Sequence, residues 1–205
     1  MNAWNLRDRR LRSILWLLVI VAALSGSACQ LRRPDTVPIR MIEPQLIEPQ
    51  PAGRADLGNG ANTVPVRLLD TQAREHIGRR VLRQQPDGEL SEDSVWQWTA
   101  APDRYLDTAL RLELASNPTF RLVDTATAPA LATTLLAWHL ESATEPQLVG
   151  AVEVQFTGAD RVVRTRVVRA SEPVSPDLPG NLAVASGRLL RRLALESLTR
   201  VEPER

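Results

Sequence analysis

Lysine does not occur in this 205-residue chain, so all 25 of its basic residues are arginine. That bias is better read as coding preference than as mechanism. Charge is nearly balanced, at a formal +1, and gives no bulk attraction to nucleic acid. A single cysteine, Cys29, excludes an internal disulfide framework. Histidine is almost as scarce: His76 and His139 fall in different elements, without the paired spacing of a zinc site. There is no Gly-x-Ser-x-Gly elbow and no glycine loop of the kind that cradles phosphate. Glu92 and Asp93 are neighbouring acids, but adjacent strand positions face opposite ways. They read as a solvated strand edge rather than a carboxylate pair. Together these absences leave no expected catalytic residue, metal or cofactor. A long apolar run is missing too, because residues 14–24 fall short of the roughly 20 needed to span a bilayer comfortably.

What is present begins with Arg7, Arg9, Arg10 and Arg12, then that short apolar run, then Ser25-Gly26-Ser27-Ala28-Cys29. A basic start, an apolar core and small residues describe a secretory signal over residues 1–28. A cysteine directly after the small residues resembles the bacterial lipoprotein signal, which implies that Cys29 takes a lipid and becomes the mature N-terminus. Gly26 stands where leucine is usual in that pattern. Gln30 follows the cysteine instead of aspartate, which by the same resemblance points to the periplasmic side of the outer membrane.

Residues 29–63 then read as a tether rich in Pro, Gly and Gln, with a tandem repeat of Ile42-Glu43-Pro44-Gln45 and Ile47-Glu48-Pro49-Gln50. Prolines at that density favour an extended chain. Within it, residues 37–42 alternate enough to pair as an edge strand. The folded body is expected over 64–201. Val64, Val66 and Leu68 alternate around Pro65, as in an edge strand. Residues 71–78 are ambiguous, with room for one helical turn. Segments 80–84 and 90–98 flank Pro86-Asp87-Gly88-Glu89, a hairpin signal. Pro102 suits the first helical position, and Asn117-Pro118 stops the helix. Its apolar arc is Tyr105, Leu106, Ala109, Leu110, Leu112 and Leu114, with Arg104, Asp107, Thr108 and Arg111 opposite. Phe120, Leu122 and Val123 begin the next strand. Segments 130–141, 148–156 and 162–168 form a meander with one buried face. Asn181 caps a last apolar-faced helix running to about Val201. Strands, helix, four strands and helix predict an α+β two-layer sandwich, a largely antiparallel sheet with two helices on one face.

The order of these cues resembles the ABC-type transport auxiliary lipoprotein family. It is carried by Cys29, the Pro-rich tether, Ile39-Arg40-Met41-Ile42-Glu43-Pro44 and Val64-Pro65-Val66-Arg67-Leu68. Trp98 before the Pro102 helix, Phe120-Arg121-Leu122-Val123, the meander and the terminal helix continue it. The family often carries tyrosine in its first strand and a Leu-Pro-x-Tyr-Leu segment. This chain has Ile39 to Ile42 at the first and Leu68-Leu69-Asp70-Thr71-Gln72 at the second. The resemblance implies a non-catalytic lipoprotein that accompanies MCE-domain proteins and ABC transporter subunits moving lipid between the two membranes of Gram-negative bacteria. A structural or assembly lipoprotein that binds cell-wall, secretion or outer-membrane components is the other reading. The membrane is engaged through the N-terminal lipid, no nucleic-acid partner is expected, and a homo-oligomer is compatible with either reading.

Two sets of residues are candidates for partner contact. Arg79, Arg80 and Arg83 on one strand, with Arg164, Arg166 and Arg169 on another, form an arginine stripe suited to carboxylates or lipid phosphates. The bland alternative is a solvated outer face. Trp96, Trp98 and Trp138 form the second set, for which core packing competes with an interface anchor.

Overall fold

A computed structural model describes residues 38–46, 63–142, 145–175 and 180–199. The signal segment 1–28, Cys29 and most of the tether lie outside the described residues. The compact unit that carries the fold begins at Ile39. Its elements run β1 (Arg40–Ile42), β2 (Val64–Leu68), β3 (Gln72–Ala73), β4 (Arg80–Gln84), β5 (Leu90–Trp98), α1 (Pro102–Ser116) and β6 (Phe120–Leu122). Then come β7 (Ala130–Glu141), β8 (Gln147–Thr157), β9 (Val163–Pro173) and α2 (Gly180–Thr199).

The sheet is organised on the long strand β7. One of its edges pairs antiparallel with β8, and β8 pairs antiparallel with β9, as the meander predicts. The other edge receives β2, β3 and β4 one after another, all three parallel to it. Strand β5 returns antiparallel to β4, and β1 and β6 add parallel edges to β5 and β2. The fold is therefore α+β with one large sheet and two helices, but the sheet is mixed where a largely antiparallel one was expected. Only segments joined by short turns must run antiparallel. The pieces preceding β7 reach it through longer connections, and alternation of side chains does not encode their direction. The ambiguous stretch 71–78 is not a helical turn: it holds the two-residue strand β3 and a turn closed by Ile77 N–H to the Arg74 carbonyl.

Helix α1 starts where Pro102 sets its first turn, with no side-chain cap at Ala101. It ends at Asn117, whose side-chain oxygen accepts from Thr119 N–H at 2.9 Å. Its buried face is Pro102, Tyr105, Leu106, Ala109, Leu110, Glu113 and Leu114. Leu112, assigned to that face from the sequence, sits at its flank, and Glu113 takes a buried place instead. Glu113 accepts from Arg191 of α2 at 3.2 Å, so the two helices are tied by a partly covered ion pair. Helix α2 lies against β8 through Gly150, where an added Cβ would meet Leu193 Cδ1 at 2.7 Å. Leu189, Leu190, Leu193 and Ala194 of α2 are fully enclosed with Leu106, Leu110, Leu131, Leu135 and Val152 in one core. Trp98 and Trp138 meet edge to face in that core, ring centroids 5.9 Å apart.

Candidate functional site

The arginine stripe does not form one surface. Register places Arg83 beside Leu140, Leu140 beside Leu148, and Leu148 beside Glu172. Arg164 is eight positions before Glu172 on β9, roughly 26 Å along the strand, and three strand spacings add about 14 Å sideways. Arg83 and Arg164 thus sit about 30 Å apart, whereas Arg80 falls near the row of Ala137, Ala151 and Arg169, about 14 Å across the same three strands.

The hairpin group is spent on its own strand pair. Arg83 Nε donates to Asp93 Oδ2 at 2.6 Å, and Arg80 Nε lies 3.4 Å from Glu92. Arg79 Nε donates to the Trp98 carbonyl at 3.3 Å. Asp93 is the centre of this cluster. Its Oδ1 accepts from Val95 N–H at 2.8 Å and Trp96 N–H at 2.9 Å, which closes a side-chain turn inside β5. The neighbouring acids do face apart, but only Glu92 is solvated; the Asp93 side chain is 9% exposed. Burial by itself raises the Asp93 pKa. The hydrogen bonds from Val95, Arg83 and Trp96 and the Arg83 charge outweigh it and hold the group below its ordinary 3.8. A depressed carboxylate contributes stability that is fully present above the unfolded value and is lost as pH falls through the folded one. Asp93→Asn is therefore expected to cost about 1–3 kcal/mol at pH 7. Its difference from wild type should shrink as pH drops below 3.8. Urea melts of both proteins across that range check this.

The second group has other work. The Arg166 guanidinium donates to the carbonyls of Glu196 and Ser197, the latter at 3.0 Å, where α2 ends. A cation on those last carbonyls satisfies orphan acceptors and complements the helix dipole. Arg164 is exposed and lies 3.6 Å from Asp160 in the β8–β9 turn. The tryptophans divide likewise. Trp98 and Trp138 are core, as packing favours, while Trp96 is half-buried at the rim with the Arg40 guanidinium 5.4 Å from its ring centroid. His139 is mostly covered. Burial pushes its imidazole below the ordinary 6.5, with His76 adding and Glu141 opposing. Among the described residues no cluster of His, Cys, Asp or Glu converges as a metal site, and no helix is long and apolar enough to cross a membrane.

The edge strand expected within residues 37–42 is present as β1 over Arg40–Ile42, but the docking of the chain just beyond it was not expected from the sequence. The first copy of the Ile-Glu-Pro-Gln repeat, read as tether, is docked into the body. Ile42 is 2% exposed, beside Trp98 across the β1–β5 pairing. Its carbonyl accepts from Thr99 N–H at 3.0 Å and Thr99 Oγ1 at 3.1 Å. Glu43 accepts from the Tyr105 hydroxyl at 2.9 Å, and that hydroxyl also accepts from Ala100 N–H at 2.9 Å. Gln45 N–H then donates to the Ala183 carbonyl of α2 at 3.0 Å, an acceptor reached by bringing backbone against helix. Gly187, one turn further, makes this approach possible: a Cβ there would overlap the Gln45 carbonyl. Leu46 packs on the core beyond it. Two signals were available in the sequence, the lone tyrosine and a glycine inside an otherwise helical pattern. Neither named its partner.

No family model and no curated protein matches the chain. Solved structures do. Protein XCC0632 from Xanthomonas campestris, of the family model DUF330, is similar with a TM-score of 0.62 and 17% identity, over 77% of this chain and 91% of that one. The hypothetical protein CT253 from Chlamydia trachomatis is similar with a TM-score of 0.51 and 14% identity, over 68% of this chain and 96% of its own. At such identities the likeness is one of architecture. This chain has the fold of those two proteins.

Proposed function

We propose that the chain is a lipid-anchored envelope protein. It serves as a non-catalytic accessory component of an MCE-domain, ABC-type system that moves lipid between the inner and outer membranes. The observation that carries this reading is the docked segment 42–46. With β1 before it, the compact unit begins at Ile39, ten residues after Cys29, and ten extended residues span at most about 33–36 Å. A lipid on Cys29 would then hold the body within that distance of the bilayer, facing the periplasm, and at one fixed point on the fold. Short attachment suits a dock for a membrane-embedded assembly better than a freely ranging enzyme. The cues behind the family resemblance fall in order on β1, β2, the end of β5, α1, β6, the meander and α2, which supports the same reading.

Arg40, Trp96 and the exposed Met41 beside the docked segment are the residues best placed to meet the partner. Of the arginines considered for that role, Arg80, Arg83 and Arg166 also make ion pairs or hydrogen bonds within the fold, and Arg164 stays exposed. The test of the anchor is Cys29→Ser. That protein should lose acyl labelling and leave the membrane fraction, or stay uncleaved. Unchanged labelling sinks the proposal at its first step.

A further inference from the structure

The longest free edge among the described strands is that of β9, which pairs only with β8 and runs eleven residues from Val163 to Pro173. Its backbone direction follows from two flanking bonds. Val174 N–H donates to the Pro146 carbonyl at 2.9 Å, and Gly158 N–H donates to the Val162 carbonyl at 3.1 Å. Both pairs continue the β8–β9 register. Antiparallel pairs alternate between bonded and non-bonded. The even-numbered residues of β9 therefore turn their N–H and C=O groups to β8, and the odd-numbered ones turn theirs outward. Val163, Thr165, Val167, Arg169 and Ser171 thus present an unpaired ladder. Two of them are large and apolar in water, Val163 at 56% and Val167 at 49% exposure. Exposed edges of this length usually end up covered.

We propose that β9 pairs with β9 of a second copy of this chain, antiparallel and two-fold symmetric, with Val168 opposite Val168. Register selects itself by charge. Centring on Val168 puts Thr165 opposite Ser171 and Val167 opposite Arg169, all outward-bonding positions. On the other face it sets Arg164 against the partner's Glu172, twice by symmetry. Centring on Arg166 or on Arg169 sets that arginine against itself. Centring on Ala170 sets Glu172 against Val168 and carries Arg164 beyond the partner strand, so both attractions are lost. Centring on Val167 keeps the backbone bonds but leaves Arg164 opposite Ala170. Opposed charges across a strand pair attract and like charges repel. Arg164 is well placed for this: it is exposed, and its contact with Asp160 is a surface one at 3.6 Å. Glu172 makes only a long contact of 3.9 Å to Arg192 through one carboxylate oxygen, and its side chain is 18% exposed. A two-fold edge contact is also self-limiting, since it closes the sheet with no further edge of that length to extend. The inference stands apart from the lipid-transport reading.

Charge reversal in full-length protein, followed by sedimentation in detergent, tests it. Wild type should be dimeric. Arg164→Glu alone and Glu172→Arg alone each create two like-charge pairs, and each should weaken association at least about tenfold. An equimolar mixture of the two variants restores both attractions and should form the heterodimer. Val167→Pro, which removes an outward N–H and leaves the β8 ladder intact, should be monomeric with an unchanged melt. A monomeric wild type overturns the proposal, and so does a mixture of folded single variants that fails to associate. Single variants that stay fully dimeric overturn it equally, by placing the contact elsewhere.

Discussion

Gly187→Ala is expected to destabilise the body by about 1–3 kcal/mol, although the same change inside an exposed helix ordinarily stabilises by about 1 kcal/mol. The sign reverses because the added methyl has no room. It would overlap the Gln45 carbonyl, which is backbone and cannot rotate away as a side chain would. Segment 42–46 must lift from α2. That forfeits the bond from Gln45 to Ala183 and the cover over Leu46, and it loosens Ile42, whose full burial is worth roughly 1.5–3 kcal/mol. Amide exchange separates this from a general loss of stability. The Gln45 N–H should lose protection while amides of β7 and β8 keep theirs. Gly78→Ala is the control, because a Cβ there meets nothing within 4 Å. If Gly187→Ala raises the melting temperature, the segment is not seated on α2.

The larger expected effect is that of Leu110→Asp, which should leave no folded body. Leu110 is fully enclosed between the sheet and α2. An ionised carboxylate without a partner there costs several kcal/mol or more, against a total stability of roughly 5–15 kcal/mol. The adjacent position separates burial from helix content. Arg111 is half exposed, with Asp107 at 2.7 Å and Asp70 at 3.7 Å. Its surface pairs are worth about 1 kcal/mol at most, so Arg111→Asp should melt only slightly below wild type. Equal losses at the two positions, read by circular dichroism, would mean that α1 does not present the face described.

Legibility followed locality. Helix α1 was readable because its start, stop and apolar period all lie within its own residues. The β4–β5 hairpin was readable from Asp87-Gly88, with Gly88 at the positive φ of 88° that such a turn needs. The meander was readable because short turns fix direction as well as pairing. The parallel docking of β2, β3 and β4 on β7 was not, since alternation marks a face and not a neighbour. Strand β3, two residues long, carries no period at all. Asp93 was misjudged because the rule that adjacent residues oppose each other does not say which face is covered. Arg166 alternated as expected, yet its task depends on where a helix thirty residues later ends. The docked segment was hidden for a similar reason. Proline density suggested an extended chain, but Leu46 N–H closes a tight turn on the Pro44 carbonyl, and the groups that hold the segment, Thr99, Tyr105, Ala183 and Gly187, lie far along the chain.

The account turns on what the anchored body meets in the envelope. Affinity purification of the intact chain from solubilised membranes, with Cys29 and the tether unaltered, asks this directly. An MCE-domain protein together with ABC permease and ATPase subunits should co-purify. Their recovery should fall when Gly187→Ala frees the body from its fixed attachment. Recovery of peptidoglycan or secretion components, with no MCE-domain protein among them, would contradict the account and make the chain an assembly lipoprotein.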